Sequence, residues 1–260
     1  MEAAEAPDNY SPMLGDWRCA KALWVAGVDG TPLPAPRAAH QVTTLVTAHR
    51  QTSFTTPSAT ALHLNAGWRA ARAAANLKPT IQWKEAVLTP GMAVGQADVS
   101  TAEVLFDYLE LAMTAAMSSY AAAEAFANSV VIDEATGPLK LKRKKAWEHL
   151  SPEDVERNVT TDEKLKRIVP DLLGLPTPAG KKVWQDYVAL KHLRDSVTHF
   201  KRRDQARHAD KLNEPTALQD LLNADPCSLP EAAMAIIRYF YKASEIPRWM
   251  ANPTWNRHVG

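Results

Sequence analysis

Arg194 and His199 stand five residues apart in the stretch Arg194-Asp195-Ser196-Val197-Thr198-His199. An arginine presents a fixed fork of donors to a phosphate, and a histidine exchanges a proton near neutral pH. The pair suits cleavage of RNA without a metal. A ribose 2′-hydroxyl needs a proton acceptor, which His199 provides, and charge on the non-bridging phosphate oxygens needs a cation, which Arg194 provides. Asp195 lies four residues before His199, on the same face of a helix, and can set the imidazole tautomer. Arg194 and His199 are about 140° apart around a helical axis, an angle the long arginine side chain can bridge. One histidine is thin for two proton transfers, so two copies of the helix facing each other would complete the chemistry. Lys201, Arg202 and Arg203 continue the basic surface as expected RNA contacts.

The same residues suit plainer roles. His199 can cap or decorate a helix, and Arg194–Asp195 can be a solvent ion pair. His192, Asp195 and His199 could line a metal face, but no second helix supplies a recognisable ligand motif. No metal or other cofactor is expected. No glycine loop for phosphates, two-metal acidic cluster or nucleophile elbow is present.

The net charge of +1 conceals an asymmetry: Pro138 to Lys211 carries 18 Lys or Arg against 11 Asp or Glu, and the remainder 12 against 18. A segment at +7 in a nearly neutral chain attracts a polyanion locally. Two distant cysteines, Cys19 and Cys227, argue against a disulfide scaffold. No stretch reads as a signal peptide or membrane span, so a cytoplasmic protein with no membrane partner is expected.

The elements that must position the motif are helices. Ser100, with Glu103 three residues on, marks the start of a long alanine-rich helix running to about Asn128 or Ile132. Its apolar stripe is Leu105, Leu109, Ala112, Ala116, Tyr120, Ala123 and Ala127. Glu124 and Asn128 project polar groups from that helix, either at an exposed edge or into a cleft. Lys140 to Lys145 is read as the start of another helix. Ser151-Pro152 opens a further one, and Thr161 to Val169 another, ended by Pro170. Lys181 to about Arg207 reads as one long helix carrying the motif. Ala217 to Leu222 and Pro230 to Tyr241 complete the set. Prolines interrupt residues 1–99, where Gln41–His49 and Ile81–Leu88 read as strands and Ala59–Asn76 as a helix. The expected organisation is an irregular, mixed α/β N-terminal region (1–99), a helical bundle (100–245) and a tail (246–260).

On these residues the chain resembles the HEPN-domain family of prokaryotic toxins and antiviral proteins. Arg194, Asp195 and His199 match the family's arginine, following polar residue and histidine. The segment 118–128, with Glu124 and Asn128, resembles the family's first core helix, where such positions face the same cleft. The resemblance covers roughly residues 100–243. It implies a mainly α, antiparallel HEPN-like bundle that forms a homodimer, with Arg194, His199, Asp195 and Glu124 in the catalytic set and Asn128 at the RNA. It further implies a metal-independent endoribonuclease of a defence or toxin–antitoxin system, with RNA and an antitoxin or defence protein as partners. Other members are non-catalytic interaction or nucleic-acid-binding modules. Asp195 departs from the asparagine frequent in the family. A carboxylate there repels phosphate unless it is paired with His199 or Arg194.

Overall fold

A computed structural model describes residues 18–19, 22–25, 37–40, 42–89, 92–97, 99–143, 146–200, 216–242 and 246–251. Helix dominates them, with small two-stranded antiparallel sheets beside it. The chain divides into two compact units, residues 63–242 and the described parts of 1–62 with 243–260. None of the described helices is long and apolar enough to cross a membrane.

In the smaller unit, β1 (Ala22–Val25) pairs with β2 (Arg37–His40), and β3 (Val42–Thr47) with β4 (Arg50–Thr55). The β-branched run read at 41–49 accounts for β3. Helix α1 (Ala59–Leu77) begins in this unit and continues into the larger one. There β5 (Trp83–Thr89) and β6 (Met92–Ala97) form a hairpin before the longest element, α2 (Val99–Glu134).

Adjacent buried pairs in α2, such as Ala115–Ala116, Ala122–Ala123 and Val130–Val131, show that it is enclosed on more than one side. Small side chains permit this. At Gly67 of α1, an added Cβ would lie 2.7 Å from Ser119 Oγ of α2 and 3.3 Å from its backbone nitrogen. The buried Ser119 hydroxyl makes no hydrogen bond among the described residues. Ser119→Ala should therefore stabilise the fold by about 1 kcal/mol, the cost of an unsatisfied buried polar group. A thermal melt that moves down would refute this.

After α2, the chain departs from the expected helix at Lys140. Leu139–Arg143 is β7, paired with β8 (Ala146–Leu150). The alternation of Leu139 and Leu141 with Lys140 and Lys142 has the period of a strand. Leu141 is buried with Val131, Val155 and Ile168, while Leu139 and Leu150 pack on the rim of that cluster. Helix α3 (Pro152–Asn158) starts as expected, with Ser151 Oγ accepting the Asp154 N–H at 3.1 Å.

Pro170 does not end the next helix. α4 (Thr161–Glu163) runs into a π-helical turn, Lys164–Ile168, and then α5 (Val169–Leu173). Proline strands the carbonyl four residues back, that of Lys166. Thr177 Oγ1 donates to this carbonyl at 2.6 Å, so it does not go without a partner. The stop comes at Gly174, whose φ of 63° is left-handed, with Leu175 N–H bonded to Pro170 O at 2.9 Å.

α6 (Lys182–Thr198) carries the motif but is shorter than expected, for His199 is its C-cap at φ −127°, ψ 66°. Thr198 Oγ1 bonds back to Arg194 O at 2.7 Å, a local competitor of helical continuation. α7 (Ala217–Asn223) and α8 (Ser228–Arg238) follow, and α2 packs against α6, α7 and α8. α9 (Arg248–Ala251) contains the buried Trp249.

Candidate functional site

The α2 residues Tyr120, Glu124 and Asn128, spaced four apart, form one stripe. Each meets a different partner. The Tyr120 ring lies beneath Arg194, whose Cζ is 3.9 Å from the ring centroid. Glu124 Oε1 accepts from Thr161 Oγ1 at 3.2 Å. Asn128 Oδ1 accepts from Lys164 Nζ at 2.7 Å.

α6 supplies the other wall. Tyr187 and Lys191, one turn apart, both donate to Asp162 of α4, at 2.8 Å and 2.6 Å. Thr160 fixes the start of α4, its Oγ1 accepting the Glu163 N–H, so Asp162 sits in a defined first turn. Tyr187 is fully buried and stacks on Tyr120 at 6.1 Å, and the Trp184 ring is tilted against it at 5.2 Å. Burial, together with the neighbouring Tyr120 and Asp162, pushes the Tyr187 hydroxyl far above the ordinary phenol range. The hydrogen bond to Asp162 raises the Lys191 ammonium above its usual value. Tyr187 is thus a neutral donor and Lys191 a fixed cation.

Arg194 Nη1 donates to Asp195 Oδ1 at 2.8 Å, with 28% of the arginine side chain and 41% of the aspartate side chain exposed. The Asp195 carboxylate is therefore held by its neighbour. His199 follows at the helix end, where its N–H bonds to Asp195 O at 3.2 Å and its side chain is exposed. Because its backbone has left the helix, it loses the side-by-side relation to Asp195 that four-residue spacing gives within a helix. Among the described residues, the imidazole has no hydrogen-bond partner.

The structure brings Arg194, Asp195 and His199 to one end of α6 and puts Tyr120 under the guanidinium. Glu124 and Asn128 stay on the same stripe of α2, yet their polar atoms are taken up by residues 161–164. Lys201, Arg202 and Arg203 lie outside the described residues. His192 lines a different groove of about 730 Å³ with Asp186, Ser196, Asp220 and Glu231. Among the described residues, no three His, Cys, Asp or Glu side chains gather to hold a metal ion. Sequence reasoning missed Asp162 and Lys191. Lys191 carried a signal, because it stands three residues before Arg194 and so shares its helix face. Asp162 had none beyond its place in a helix first turn.

Lys164 is only 1% exposed, and its ammonium donates to Asn128 Oδ1 and to the Glu156 carbonyl oxygen at 2.6 Å. Burial lowers its pKa, against an opposing pull from Glu124 and Glu156. The folded protein then holds this proton less tightly than the unfolded chain, so stability rises as pH climbs from the depressed folded value toward the ordinary 10.5. Urea unfolding across the mildly alkaline range checks this. The wild-type stability minus that of Lys164→Met should rise with pH, and a flat or falling difference would contradict the lowered pKa.

Arg194 thus offers a flat, partly exposed guanidinium held from below by an aromatic ring and from the side by a carboxylate. Lys191 adds a second cation one turn earlier, and His199 an exposed imidazole at the helix end. Compared with known proteins, the chain matches no family model, no curated protein and no solved structure.

Proposed function

We propose that residues 100–243 form a HEPN-like antiparallel bundle and that the protein is a metal-independent endoribonuclease of a defence or toxin–antitoxin system. One observation carries this reading: the guanidinium of Arg194 rests on Tyr120 near the end of α6, the helix whose C-cap is the exposed His199. His199 takes the proton of a ribose 2′-hydroxyl. The 2′-oxygen then bonds to phosphorus as the bond from phosphorus to the 5′-oxygen breaks. Arg194 stabilises the charge on the non-bridging oxygens. The departing 5′-oxygen takes a proton from the His199 imidazolium of a second copy, which makes a homodimer the working unit. Products are a 2′,3′-cyclic phosphate and a 5′-hydroxyl. No cofactor enters the reaction.

Purified protein incubated with mixed RNA and a chelator tests the proposal. Cleavage should persist in the chelator, leave cyclic phosphate ends and disappear in both Arg194→Ala and His199→Ala. Cleavage retained in both variants rejects it. The Arg194–Asp195 pair favours a second reading, because a carboxylate already occupies one edge of the phosphate donor. On that reading the bundle binds RNA or an antitoxin without cutting, and wild-type protein would bind RNA with no cleavage.

A further inference from the structure

The β7–β8 hairpin displays a second set of RNA-compatible groups that the Arg194–His199 chemistry does not use. Its register pairs Lys142 with Trp147 and Lys140 with His149. These four residues therefore share one face of the ribbon, since cross-strand partners and next-but-one neighbours point the same way. All four are exposed, and Trp147 is 60% exposed. Lys140 Nζ lies 5.2 Å from the centre of the Trp147 ring. Trp83 and Phe106 are exposed as well, but Trp147 stands beside two lysines on a ribbon whose opposite face is anchored. There Leu141 is 5% exposed within the cluster of Val131, Val155 and Ile168. The ribbon is docked firmly by one face and presents the other to solvent.

We infer that this outer face, Lys140, Lys142, Trp147 and His149, binds single-stranded RNA, with a base stacked on Trp147 and phosphates held by the two lysines. An indole offers a flat surface to any unstacked base. Lysines two apart on a strand stand about 6.8 Å apart, the order of the spacing between neighbouring phosphates. Five of the six residues from Lys140 to Lys145 are basic, which adds to the local field. An apolar protein partner would find a single ring surrounded by cations. A structured duplex would leave that ring with no base face to cover.

The inference rests on RNA as the ligand class proposed above but not on cleavage. Its test therefore measures binding in the His199→Ala background. Fluorescence anisotropy with a labelled, unstructured single-stranded RNA is the readout, beside duplex RNA, heparin and phosphatidylserine vesicles. Trp147→Ala should weaken single-strand binding about tenfold, the usual effect of losing one stacking partner. It should change heparin binding little, because heparin has no bases. Lys140→Glu with Lys142→Glu should weaken both polyanions and flatten the salt dependence by about 0.7 log units per lost contact. Trp147→Phe, which keeps an aromatic face, should retain most of the affinity, and melting curves verify that each variant is folded. Unchanged single-strand affinity in both the tryptophan and the lysine variants overturns the inference, as does binding to vesicles but not to RNA. Binding that needs Trp147 in a protein that never cleaves RNA upholds the hairpin and removes the nuclease reading alone.

Discussion

His199→Ala is expected to slow RNA cleavage by about 10²–10⁴-fold, the range for losing a positioned proton-transfer group. The side chain is exposed and makes no hydrogen bond among the described residues, so its removal should leave the melting temperature unchanged. A rate loss then reports chemistry and not folding. Arg194 is a harder position to test. Its guanidinium covers the Tyr120 ring and binds Asp195, so alanine there removes a cation, uncovers an aromatic face and frees a carboxylate at once. Arg194→Lys keeps the charge but lacks the planar fork and lies less well on a ring. It should lose about 10²-fold or more in single-turnover rate, as expected for an electrostatic contact in the transition state. Asp195→Asn offers a revealing contrast: it keeps a hydrogen-bond acceptor for Arg194 while removing the negative charge from beside the phosphate. Single-turnover cleavage of a labelled RNA in chelator, with a melt on each variant, measures all of this. Equal rates for wild type and His199→Ala would end the catalytic account.

Phe126→Ala should cost about 3–5 kcal/mol of stability, the usual range for emptying a buried aromatic site. Phe126 is 2% exposed, stacks on Phe240 at 5.7 Å and meets Tyr241 at the same distance. It thereby joins the middle of α2 to the chain just beyond α8. Its neighbours are rings, which cannot spread to fill a void as flexible side chains do, so collapse around the gap is limited. The melting temperature should fall on the order of 10 °C. Phe126→Leu, which keeps most of the volume, should recover over half of that. A loss below about 1 kcal/mol for alanine would mean that the aromatic contacts are not an energetic joint between α2 and α8. Tyr120 and Asn128 flank Phe126 on the same helix, so a loosened α2 also threatens the seat of Arg194.

The long helices were legible because their periodicity is strong. Of the stripe predicted on α2, Leu109, Ala112, Ala116, Tyr120, Ala123 and Ala127 are all buried, and only Leu105 is half-exposed. The serine cap at Ser151 and the proline after it also marked α3 correctly. Lys140–Lys145 misled because its charge drew the reading toward a solvated helix, while the leucines alternating with lysines spelled a strand. Pro170 misled because its penalty was assigned locally, when its remedy comes from Thr177, a residue in the following loop. At the site, the type and spacing of Arg194 and His199 could be read directly. The ring under Arg194 could not, since Tyr120 fits an apolar stripe equally well. Nor could the Asp162 link to Tyr187 and Lys191, which depends on where two separate helices cross.

The wide turn at Lys164–Ile168 amounts to one surplus residue carried inside a continuous rod. Each residue of a helix advances about 100° around the axis, so the surplus swings everything after it to a new heading. Lys164, Leu165, Ile168 and Val169 are all buried, a spacing that 100° per residue gathers within about 140° around the axis. The buried ammonium of Lys164 and the Ile168 side chain beneath the hairpin therefore share one side of the rod. Removing one residue between them would turn Ile168 and all that follows by about 100° relative to Lys164, so the two could no longer be buried from the same side.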